Sequence, residues 1–155
     1  MYKYLVVAVD GSQSALNALK HACALAKLSS AKLMLVHVAN PTEYLALSPG
    51  FLQEAEYEIA AKEHGSTVLA EAKTFAEAEG AAEVGTHLLV SSRGAKEMAY
   101  ELVAYAHEEG ADLLVLGTHG RSGLMHLLMG SFTETVMRQT KLPLLVIRST
   151  EENQD

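Results

Sequence analysis

Leu5-Val6-Val7-Ala8-Val9-Asp10-Gly11-Ser12 decides the fold. An unbroken apolar run rich in β-branched valine ends abruptly in a turn triplet. A strand buried on both faces reads this way, because neither face alternates with water, and such strands belong to parallel sheets. From Ser12 to about Leu28, Leu16, Leu19, Cys23 and Ala26 recur at three- and four-residue spacings, one face of an amphipathic helix. Strand, turn and helix therefore open the chain, and the pattern repeats. Strands are expected over Lys32–Val38, Val84–Val90, Asp112–Leu116 and Leu142–Ile147, the last with Pro143 near its start, where a missing donor is tolerated. Helices are expected over Phe51–Glu79, with Gly65 as a candidate break and Gly80 as a C-cap, over Ala95–Glu109, closed by Gly110, and over Ser131–Thr140. Asn40–Gly50, with Pro41, Pro49 and Gly50, reads as a loop. Alternation of this kind predicts a single α/β domain: an open, parallel, five-stranded, Rossmann-like sheet with helices on both faces.

Composition bounds the partners. A chain of 155 residues suits one domain. Twelve Lys and Arg against nineteen Asp and Glu give a net charge of −7, with no basic run or tail. Non-specific nucleic-acid binding needs a basic surface, so nucleic acid is not an expected partner. No run of 18 apolar residues offers a membrane span, and no membrane insertion is expected. Met1-Tyr2-Lys3-Tyr4-Leu5 enters a strand pattern at once, without the regions of a secretory leader. The single cysteine, Cys23, rules out an intrachain disulfide framework and reads as a small packed residue. A cytoplasmic location is the expectation, with a polar tail over residues 151–155.

The chemistry concentrates after the fourth strand. Gly117-Thr118-His119-Gly120-Arg121-Ser122-Gly123 and, further on, Gly130-Ser131 link that strand to a helix. Glycines let backbone approach a ligand, and a helix N-terminus adds N–H groups and a positive dipole end. Together they make a phosphate cradle. Ser131 and Glu134 have capping-box spacing, so Ser131 reads either as a plain N-cap or as a cap that also meets phosphate. Asp10 has two readings as well. It is an Asx turn or, if the first and fourth strands are neighbours, an acceptor for ribose or base in the crevice between them. His119 and His126 read evenly as phosphate contacts or exposed loop residues, and Arg121 as a phosphate contact or a solvated side chain. No G-x-x-x-x-G-K-[ST], G-x-G-x-x-G or G-x-S-x-G is present at this segment, which excludes a P-loop, a dinucleotide fingerprint and a nucleophile elbow. The seven histidines show no metal spacing on one helix.

Gly117-x2-Gly120-x9-Gly130-Ser131 is similar to the G-2x-G-9x-G-[S/T] nucleotide motif of the universal stress protein family, in its ATP-binding branch. Val7–Ser12, Val36-His37-Val38, Gly110–Gly117 and Pro143–Ile147 also resemble the family, and the likeness spans residues 1–150, weakest from Pro41 to Gly80. The resemblance implies an adenine nucleotide alpha hydrolase-like fold that binds ATP or AMP, with Mg²⁺ or Mn²⁺ accompanying the nucleotide. It implies that Asp10 contacts the adenosine moiety and Val38 the adenine. Gly117, Gly120, Gly130, Ser131 and Thr133 would hold ribose and phosphates. Ala8, Leu116, His119, Arg121 and Phe132 complete the implied site. Phe132 stands where the family has a smaller residue such as valine. The resemblance also implies a homodimer through the last strand, Leu144–Ile147. The expected role is nucleotide-dependent regulation or stress response. The alternatives are a slow ATP-hydrolysing enzyme, with turnover far below a kinase, and an interaction module without nucleotide.

Overall fold

A computed structural model describes residues 1–47, 53–119 and 129–148. Along the described chain run β1 (Tyr4–Ala8), α1 (Gln13–Ser29), β2 (Lys32–Ala39), α2 (Thr42–Leu47) and α3 (Glu54–Ala78). Then come β3 (Val84–Val90), α4 (Ala95–Glu108), β4 (Leu113–Gly117), α5 (Ser131–Gln139) and β5 (Leu144–Ile147). The strands form one sheet in the order β3-β2-β1-β4-β5. Every pairing is parallel, with Leu5 opposite Leu33 and Leu113, and Leu116 opposite Val146. The α/β expectation therefore holds in class and in direction. The strand order reverses between β1 and β4. In open α/β sheets that is where the loops part and leave a crevice.

Alternation along each strand sends side chains into two cores. Leu5, Val7, Val9, Leu33, Leu35, Leu113 and Val115 meet α1 and α3. Val6, Val36, Val38, Leu114 and Leu116 meet α4 and α5 through Leu102, Ala106 and Val136. Cys23 lies inside the first core, as a packed cysteine should. Burial, aided by Glu79 and opposed by Lys27, pushes its thiol up to about 11.

Three local expectations are corrected. The Asn40–Gly50 loop contains α2. Asn40 starts it: its side-chain oxygen accepts from the Thr42 N–H at 3.0 Å, and its carbonyl accepts from the Glu43 N–H at 3.2 Å. Pro41 suits a first turn, where no N–H is needed. Gly65 breaks nothing, because α3 runs through it. A Cβ there would lie 2.6 Å from Leu88 Cδ1 and 2.8 Å from His37 Cδ2, so the glycine serves close approach of helix to sheet. At α5 the N-cap is Gly130, not Ser131, which is the first helical residue. Glu134 pairs with Arg138 at 2.7 Å, and among the described residues no side chain caps this end. Residues 48–52 and the expected tail, 151–155, lie outside the described residues.

Candidate functional site

The turns after β1 and β4 flank the crevice. After β1, Asp10 Oδ1 accepts from the Ser12 N–H at 2.9 Å, so the Asx turn is formed. Gly11 takes φ +83°, a conformation that L side chains rarely adopt. Ser12 then caps α1, its hydroxyl accepting from the Ala15 N–H at 3.1 Å. His37, on β2, holds the Val9 carbonyl through Nδ1 at 2.8 Å and so fixes the residue before Asp10. Sequence reasoning missed this role, for which a histidine at a strand end gives no specific signal.

After β4, Gly117 is held from two sides. A Cβ on it would collide with the Ser14 side chain, and would lie 3.0 Å from the Ser14 carbonyl oxygen. The first turn of α1 thus presses directly on Gly117. On the other side the Thr133 hydroxyl donates to the Gly117 carbonyl at 2.7 Å. Thr133 is only 2% exposed. Beyond Gly117, the Thr118 N–H continues the pairing to the Ile147 carbonyl at 3.0 Å, and the Gly130 N–H donates to the Thr118 carbonyl at 2.8 Å. Main chain at 118 and 130 therefore closes the neck of the intervening segment. Ser14 and Thr118, both buried, were not singled out from the sequence. Small polar residues at such positions carry no motif of their own.

The remaining expected site residues fall into three groups. Ala8, Val38, Leu116 and Phe132 gather on the α4 and α5 side of the sheet, Val38 and Leu116 buried and the other two partly so. Phe132 packs against this core. His119 is 7% exposed and hydrogen-bonded through Nδ1 with the Thr118 hydroxyl at 3.1 Å, which corrects the exposed-loop reading. Ser131 is exposed at the start of α5. Gly120, Arg121 and His126 lie outside the described residues. Among the described residues no three His, Cys, Asp or Glu side chains converge as a metal site. No described helix is long and apolar enough to cross a membrane.

Among the described residues the two flanking turns offer mainly backbone, with Asp10 as a carboxylate on the β1 side. One side is a turn whose own side chains accept from the Ser12 and Ala15 amides. The other is a helix N-terminus presenting first-turn N–H groups that have no acceptor within the helix.

Known proteins resemble this chain in sequence and fold. The family model described as Universal stress protein family matches residues 1–148. Universal stress protein MJ0531 of Methanocaldococcus jannaschii is 33% identical over 148 residues, covering 96% of this chain and 83% of its own length. Universal stress protein YxiE of Bacillus subtilis is 32% identical, covering 96% of this chain and all of its own, 100%. Among solved structures, hypothetical protein MJ0577 superposes with a TM-score of 0.80 at 29% identity, covering 97% of this chain and 99% of its own. A universal stress protein solved in complex with cAMP gives a TM-score of 0.68 at 29% identity, covering 96% and 98%. The universal stress protein of Archaeoglobus fulgidus in complex with dAMP gives 0.64 at 27%, covering 94% and 98%. With the family model spanning nearly its whole length and two curated relatives above 30% identity, this chain belongs to the universal stress protein family.

Proposed function

We propose that the crevice between the β1 and β4 turns binds an adenine nucleotide, ATP or AMP, and that the protein acts as a nucleotide-dependent regulatory or stress-response protein. The observation that carries this reading is the α5 N-terminus. It stands at the β4 side of the strand-order reversal, and among the described residues no side chain caps it. Such an end attracts an anion through its N–H groups and its dipole. The bound cAMP and dAMP in two structural relatives support an adenine nucleotide as the anion. In this reading Asp10 faces the ribose or base, and Ala8, Val38 and Leu116 offer apolar surface to the adenine. Gly130, Ser131 and Phe132 meet the phosphates through their backbone, with Gly117 at the base of the site. A Mg²⁺ or Mn²⁺ ion would arrive with the phosphates, with no protein side chain assigned to it. The protein's part is binding, with any hydrolysis slow, because a neutral cradle does little to offset charge developing on a γ-phosphate.

Mass analysis of nucleotide released by denaturing the purified protein tests the reading. ATP or AMP should appear, and adding either should raise the melting temperature, by mass action equivalent to about 2.7 kcal/mol at a hundredfold excess over Kd. No released nucleotide and no shift with ATP, AMP or cAMP contradicts it.

We also propose assembly through β5. Among the described residues this strand pairs with β4 alone and lies at the sheet edge, with Leu144, Leu145, Val146 and Ile147 all half-buried. Pairing with its copy across a two-fold axis would satisfy the open edge. Sedimentation at micromolar concentration should show a dimer, and a monomer with and without ATP contradicts it.

A further inference from the structure

We infer that Thr133 is a positioning residue for the phosphate end of the site, acting through backbone and not by touching the nucleotide. This rests on the nucleotide reading above. A Thr hydroxyl carries a single hydrogen, and that of Thr133 is directed to the Gly117 carbonyl at 2.7 Å. The side chain is 2% exposed, so water does not readily take either partner's place. Thr133 lies in the first turn of α5, and Gly117 is the last residue of β4. The bond therefore ties the proposed anion-binding turn to the sheet. A second tie, from the Gly130 N–H to the Thr118 carbonyl at 2.8 Å, is main chain to main chain and any sequence can make it. The Thr133 bond is the side-chain tie in this pair.

Gly117 is a fixed anchor. Ser14 of α1 presses on its Cα with no room for a methyl group. A helix end bonded to such a point cannot slide along the crevice without breaking the bond. Hydrogen bonds to phosphate weaken steeply with misalignment, and the dipole contribution fades beyond the first turn. The hydroxyl thus sets how well the α5 amides meet phosphate, while Ala8 and Val38 stand on β1 and β2, strands it does not touch.

The test compares wild type with Thr133→Val, which keeps shape and loses the donor, and Thr133→Ser, which restores it. ATP and adenosine affinities are measured by calorimetry or competition, and amide hydrogen exchange at Gly130 and Ser131 is followed without nucleotide. ATP affinity should fall about tenfold in Thr133→Val, the worth of one buried hydrogen bond. Adenosine affinity should hold, and Thr133→Ser should return ATP binding to within about twofold. Exchange should rise in the valine variant and recover in the serine variant. Unchanged ATP affinity in Thr133→Val, or parallel loss of ATP and adenosine, overturns the inference. If wild type binds no adenine nucleotide, the nucleotide reading fails by itself, and the exchange data then judge Thr133. A rise reversed by serine supports the tether, and no rise overturns it.

Discussion

The two turns that flank the crevice are built on opposite plans. After β1, Asp10 and Ser12 each accept a hydrogen bond from the local backbone, and the turn is built from near neighbours. After β4, no side chain among the described residues caps the helix end, and order comes from a distance: Ser14 packs on Gly117 and Thr133 bonds its carbonyl. A self-capped turn is a stable wall. A helix end fixed in place but uncapped is suited to bind something else. The same small residues, Asp, Gly, Ser and Thr, thus do opposite work according to where their hydrogen bonds go.

The largest expected effect breaks the anchor of the second turn. Gly117→Ala places a methyl group against the Ser14 side chain and 3.0 Å from its carbonyl oxygen. Overpacking against backbone should cost about 3 kcal/mol, read by chemical denaturation. Wild-type stability would mean that α1 does not press on β4 as described. Next comes the wall. Ser12→Ala removes the α1 cap and should cost about 1 kcal/mol of stability while leaving ATP affinity nearly unchanged. A large loss of affinity would give the first turn a direct role in phosphate binding. The smallest effect concerns the surface of α5. Arg138 and Glu134 form an exposed pair at 2.7 Å, and Arg138→Ala should shift stability by less than about 0.5 kcal/mol. A larger loss would mean that this pair helps to hold α5 in place.

Much of this contrast was written in local sequence. The apolar runs at Leu5–Val9 and Leu113–Leu116 announced buried parallel strands, and Asp10-Gly11-Ser12 announced its own turn, because those signals come from near neighbours in the chain. The α2 helix was hidden by Pro41 and Pro49, although Asn40-Pro41 is itself a serviceable helix start. What Gly65 and Gly117 do could not be read locally. Each is small because another element crosses it, His37 and Leu88 in one case and Ser14 in the other. The Ser131–Glu134 capping-box spacing points one residue past the true N-cap, Gly130, because Glu134 pairs with Arg138 instead. Thr133 was expected at the ligand from family likeness. Its tie to Gly117 depends on a contact sixteen residues away along the chain.

Gly130 gives the most direct test of the nucleotide site. Its φ of −74° suits any residue, and among the described residues a Cβ would find the Thr118 carbonyl oxygen at 3.5 Å and His119 Cα at 3.9 Å. Among the described residues nothing in the fold demands glycine here, whereas the proposed binding site would. Gly130→Ala should fold and cost no more than about 1 kcal/mol, the loss expected of alanine at an N-cap. In calorimetry with ATP, a folded Gly130→Val variant should bind at least tenfold more weakly, about 1.4 kcal/mol, because its branched side chain stands where backbone approaches phosphate. Unchanged ATP affinity in folded Gly130→Val would contradict the site.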